Sequence, residues 1–169
     1  MNRTLVSILA GCAFAAATPV LAQAPAAPSR APGPALGPAV DAARDAVEAC
    51  RANGYKTTAL IVDSAGVPIV MLSGDGAAER TQAIASQKAW TVIKYKVPSG
   101  DIADRVAQDP ALDAAIKADP QITRARRGAL PIMAGGQLIG AFAVSGAPGG
   151  DKDEVCVKAA LDKAGQALK

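Results

Sequence analysis

The side chains of this sequence that could do chemistry are mostly cationic and stand close to glycines. Arg124, Arg126 and Arg127 come together immediately before Gly128. A guanidinium can hold a carboxylate through two parallel hydrogen bonds, so such a cluster suits an anionic ligand, although on most surfaces it is only a solvated face. Lys88 is the second cation of interest. At 100° per residue it shares one edge of a helix with Thr81, Ile84 and Tyr95, which sets it among apolar neighbours. Either its stem covers apolar surface while the amine reaches water, or the amine stands at a pocket wall and pairs an anion. Asp151, Asp153 and Glu154 fall where carboxylates complement a helix N-terminus, and the run is too short of convergent ligands for a metal site.

The chain has no histidine. This removes Ser-His-Asp and Cys-His catalysis, His-ligated zinc and His-ligated haem. No other residue set assembles a catalytic group, so no catalytic residue is assigned. Gly146-Ala-Pro-Gly-Gly-Asp151 is not a phosphate loop, because that motif needs Gly-Lys-Ser/Thr and Lys152 lies between Asp151 and Asp153. It reads as a strand-to-helix turn with Asp151 as N-cap.

The elements that must position these groups are legible in outline. Residues 40–53 carry a helical stripe that stops at Asn53-Gly54, and 57–62 and 67–72 are β-branched runs around the turn Asp63-Ser64-Ala65-Gly66. Residues 77–96 form a long helix ended by Val97-Pro98. A helical stretch at 101–118 is broken at Asp109-Pro110, where Asp109 caps and Pro110 starts the next turn. Ile122 to Arg124 reads as a short edge strand, 129–134 and 137–145 as a hairpin around Gly135-Gly136, and 152–168 as the last helix. Gly140 inside a strand calls for close backbone approach, by a ligand or by another element. The order is that of an α+β domain, an antiparallel sheet covered by helices.

The N-terminal region is an address followed by a spacer. Arg3, the apolar run 5–17 and Val20-Leu21-Ala22 make residues 1–22 a signal peptide; Leu9-Ala10-Gly11-Cys12 is a competing lipoprotein box. Residues 23–38, rich in Pro and Ala, form a mobile extended linker, and 39–169 a single domain. The processed chain would be periplasmic or secreted, with no membrane span. It would carry 17 of the 18 Lys and Arg against 15 Asp and Glu, too balanced for nucleic acid. Cys50 and Cys156 remain, either as a disulfide closing a loop of about 105 residues or as two buried thiols.

Several stretches in this order resemble one known family, the GlcG/HbpS-like (haem-degrading, HbpS-like) domains. They are Val62-Asp63-Ser64-Ala65-Gly66, Ser86-Gln-Lys88-Ala-Trp-Thr91, Val97-Pro98-Ser99, Leu130-Pro131-Ile132, and Ile139-Gly140-Ala141-Phe-Ala-Val144-Ser145-Gly146, with Asp151 and Ala159. Exported members also resemble the chain around Cys50 and Cys156, which favours the disulfide. The resemblance implies a five-stranded antiparallel sheet with helices against it, a profilin-like or PAS-like α/β sandwich that forms homo-oligomers. It implies haem or a related tetrapyrrole as ligand for some members, and accessory roles in glycolate or cobalamin pathways for others. Carried onto this chain, the ligand set is Lys88, Thr91, Tyr95, Arg126, Arg127, Gly128, Pro131 and Gly146. Iron would fall to Tyr95, Met71, Met133, Thr91 or Lys88, with Arg126, Arg127 or Lys94 near the propionates. Arg126-Arg127-Gly128-Ala129 stands where many relatives have further glycines. A second reading is a sensory or structural module whose Gly140 hairpin packs on a neighbouring subunit. A third, an enzyme of small hydroxy acids, has no residue set behind it.

Overall fold

Alternation along β1 decides the layers. The computed structural model describes residues 30–169, so the expected leader, Cys12 and the first part of the spacer lie outside the described residues. In chain order the elements are α1 (Leu36–Arg51), β1 (Thr58–Asp63), β2 (Pro68–Ser73), α2 (Arg80–Tyr95), α3 (Ser99–Val106), α4 (Pro110–Ala118), β3 (Ala129–Ala134), β4 (Gln137–Ser145) and α5 (Gly150–Ala164), then a short 3₁₀ turn. The sheet order is β2-β1-β4-β3, antiparallel throughout. Ala59, Ile61, Phe142 and Val144 point to one face, against α1 and α5. Leu60, Val62, Ala141 and Ala143 point to the other, against Ala85, Ala89 and Val92 of α2. The period of two along a strand produces this split. The chain is therefore an α+β sandwich, with small alanines on both faces that let the helices lie close.

The sheet has four strands rather than the expected five. Ile122 to Arg124 is not an edge strand: Asp119 accepts the backbone N–H groups of Ile122 and Thr123 on its carbonyl and that of Gln121 on Oδ1. Thr123 takes a φ of 53°, and Ile122 is buried with Ile102 and Ile116 beneath α3 and α4. A β-branched pair of residues looked like a strand, and an Asp-centred turn took it instead.

The spacer also ends earlier than expected, since α1 begins at Leu36. Before it, Pro32 accepts the N–H of Ser64, and Arg30 pairs with the buried carboxylate of Asp63. Asp109 caps α4 through the N–H groups of Ala111 and Leu112, as its sequence implies. The Gly135-Gly136 turn has both residues at positive φ, 55° and 79°, the geometry that a two-residue hairpin needs. Cys50 of α1 and Cys156 of α5 form a disulfide, with Cα atoms 5.5 Å apart.

Candidate functional site

The cleft that gathers the cations lies where α2, the end of β4, the start of α5 and segment 124–127 meet. Its volume is about 660 Å³. Three local devices build it. The Asp119 turn, held by Lys94, sends the chain back over α2, where Arg126 donates to Oε1 of Gln87 at 2.5 Å. Arg127 then pairs with Asp104 of α3 at 2.6 Å and, more loosely, with Glu154 of α5 at 3.7 Å. Finally, Gly150 lets the start of α5 pass the carbonyl of Arg127: a Cβ there would stand 2.4 Å from that oxygen. The glycine turn therefore caps α5 with Gly149, and Asp151 lies inside the first turn instead of at the N-cap.

At the floor sits a buried ion pair. Lys88 is 2% exposed and Asp153 is 3% exposed. The Lys88 amine donates to Oδ2 of Asp153 at 2.6 Å and to the carbonyl of Val144 at 2.7 Å, while Oδ1 of Asp153 accepts from the N–H of Ala147 at 2.9 Å. One pair thus ties α2, β4, the loop after it and α5 together. Burial pushes the Lys88 ammonium down from its ordinary value and the Asp153 carboxyl up, each opposed by the attraction of the other. Lys88 does not snorkel to water. Gly128 lies against the pair with φ at 119°, and a Cβ there would stand 2.7 Å from Lys88 Nζ and 2.8 Å from Asp153 Cβ.

Around this neutralised floor stand cations with no counter-charge. Among the described residues, Lys56, Arg80, Arg124 and Arg126 line the cleft and form no ion pair. Burial and the neighbouring charge of Arg124 both pull the Arg126 guanidinium below its ordinary value, the sign of an uncompensated cation. Ile84, Ala78, Ala103, Ala125 and Ala147 supply the apolar part of the wall. The arrangement can hold an anion, and its two or more guanidinium groups suit carboxylates.

Of the residues expected from sequence, Lys88, Arg126, Arg127 and Gly146 line the cleft, and Gly128 lies against its floor. The others are elsewhere. Thr91 is buried with its hydroxyl donating to Gln87 of its own helix. Tyr95 packs against the Ile102–Ile116–Ile122 cluster, and Pro131 pairs with Ala141 in the edge strand β3. Met71 and Met133 are half-exposed on the two edge strands, β2 and β3, and Lys94 is spent on Asp119. Gly140 serves its own sheet: a Cβ would come 2.2 Å from the carbonyl of Val62 in β1 and 3.4 Å from Pro34. Its close approach is to its own chain, at β1 and the segment before α1.

Lys56 and Arg80 were missed, because nothing local marks them. Lys56 precedes β1 and Arg80 opens α2, and only the folded sheet brings both to the cleft. Asp153 was visible as a helix-start carboxylate, but its partner lies 65 residues away.

The haem-degrading, HbpS-like protein family matches residues 36–162. Among solved structures, that of HbpS is 34% identical, with 86% of this chain and 99% of that chain covered and a TM-score of 0.72. A double mutant of Streptomyces reticuli HbpS is 35% identical, with 89% and 99% covered and a TM-score of 0.72. The structure of a PduOC–haem complex shares the fold at 23% identity, with 77% and 94% covered and a TM-score of 0.68. None of the curated proteins matches the sequence.

Proposed function

The chain belongs to the haem-degrading, HbpS-like family, and from that premise we propose that it is a binding protein for haem or a related tetrapyrrole, held in the cationic cleft. The family and the haem-bound neighbour of the same fold suggest haem-related binding. The observation that carries the reading to this cleft is a set of cations, Lys56, Arg80, Arg124 and Arg126, that have no ion-pair partner among the described residues and stand around one hollow of about 660 Å³.

The residues present fit one half of such a group and not the other. Guanidinium groups fit its carboxylates, and Ile84 with the cleft's alanines offers apolar surface to a ring. Among the described residues, no His, Cys, Tyr or Met side chain, the usual holders of haem iron, lines the cleft, and the Lys88 amine is occupied by Asp153 and Val144. No step is therefore assigned to the iron, and the proposal is one of binding. Arg126 and Arg124 would orient the carboxylates; the Lys88–Asp153 pair would keep the wall from moving. Titration of hemin into the full chain tests this: a saturable Soret change at micromolar protein is expected, and its absence would sink the reading.

Export is part of the same proposal. The Cys50–Cys156 bond supports an oxidising compartment, periplasmic or secreted, because such bonds seldom persist in a reducing cytosol. Assembly as a homo-oligomer, which the sequence resemblance implies, is proposed with it. Light scattering is expected to give a multiple of the protomer mass; a monomer's mass would remove assembly from the account.

A further inference from the structure

Resting on that reading, we infer that the cleft recognises the carboxylates of its ligand and not a metal, so that a metal-free porphyrin dicarboxylate binds as well as its iron complex. The inference follows from where each candidate donor is placed. Cys50 and Cys156 are bonded to each other between α1 and α5. Tyr95 is committed to the cluster under α3 and α4, and Tyr55 packs with the core between α1 and α5. Met71 and Met133 stand on the outer strands of the sheet.

Apart from the Ser145 hydroxyl, the polar side chains that line the cleft are already engaged or are cations. The Thr81 hydroxyl donates to Ala78 and shares a hydrogen bond with Thr58. Asp153, the carboxylate at the floor, takes Lys88 on one oxygen and the N–H of Ala147 on the other. Drawing Lys88 onto a metal would strip Asp153 of its partner in a buried site, which is the costly way to break an ion pair. Carboxylates meet the opposite situation. Arg80, Arg124, Arg126 and Lys56 have no ion-pair partner among the described residues, and a bound dicarboxylate would supply what they lack. Both arms of the specificity therefore point to the ligand's acidic groups.

Three probes separate the alternatives with the full chain: hemin, metal-free protoporphyrin IX, and the dimethyl ester of hemin, whose carboxylates are blocked. The two acids are expected to bind within about threefold of one another and the ester at least about tenfold more weakly. Arg124→Gln is expected to weaken both acids and leave the ester unchanged, with Arg80→Gln as a second variant should the first disturb the fold. Hemin binding more than about tenfold tighter than protoporphyrin would overturn the inference while leaving haem binding intact. Equal binding of ester and acid would overturn it as well. Failure of all three probes to bind would instead remove the proposed function, and the inference with it.

Discussion

Lys88 and Asp153 are where a single side chain decides most. Neither is solvated, and each depends on the other for its charge. Replacing Lys88 alone by Met should cost about 3–5 kcal/mol in urea denaturation, because Asp153 is left charged and buried. The double variant Lys88→Met/Asp153→Leu should recover most of that loss, since a desolvated pair contributes little net stability against an apolar pair of similar volume. An additive loss in the double variant would mean that the pair stabilises the fold outright. The sequence showed Lys88 among apolar neighbours and so singled it out. It could not show the partner, because only the meeting of α2 with the start of α5 makes one.

The Asp119 turn is the element that aims the arginines. Its carboxylate takes the Lys94 amine on one oxygen and the N–H of Gln121 on the other. The Lys94 hydrogen bond, first, and that N–H hold the carboxyl below its ordinary value of 3.8. A depressed carboxylate contributes stability that is present above its unfolded value and lost as pH falls through the folded one. In thermal melts from pH 7 to pH 2, wild type should therefore be the more stable near neutrality, and Asp119→Asn should become its equal in acid. A gap that stays constant with pH would remove the turn's electrostatic role. Local rules read the neighbouring elements well: Asp109 and Pro110 start α4, and Gly135-Gly136 turns β3 into β4. They failed at residues 122–124, where Ile and Thr carry strand propensity but the Asp119 turn and burial of Ile122 beneath α3 and α4 override it.

At the scale of the whole molecule, the disulfide and the cleft share α5. Cys156 fixes that helix to α1 across 106 residues, while its first turn carries Asp153 to the floor of the cleft and Glu154 toward Arg127. Reduction should lower stability by about 2–5 kcal/mol, the usual cost of losing a native disulfide, and thiol labelling of cell fractions should find the oxidised form outside the cytosol. A free-thiol form confined to the cytosol would contradict the proposed location. The α+β plan was readable from periodicity, whereas composition left the two cysteines open between a bond and free thiols, and the family resemblance favoured the bond. The cleft was half readable: its arginine cluster is contiguous in sequence, whereas Lys56 and Arg80 reach it only through the packing of α2 on β1 and β4.

The central claim is that unpaired cations of this cleft hold the ligand, and hemin affinity in the Arg80→Gln/Arg126→Gln variant tests it most directly. With the fold checked by circular dichroism, the account expects affinity to fall by more than about tenfold relative to the unsubstituted chain. Unchanged affinity in a folded double variant would contradict it and move the binding site elsewhere on the molecule.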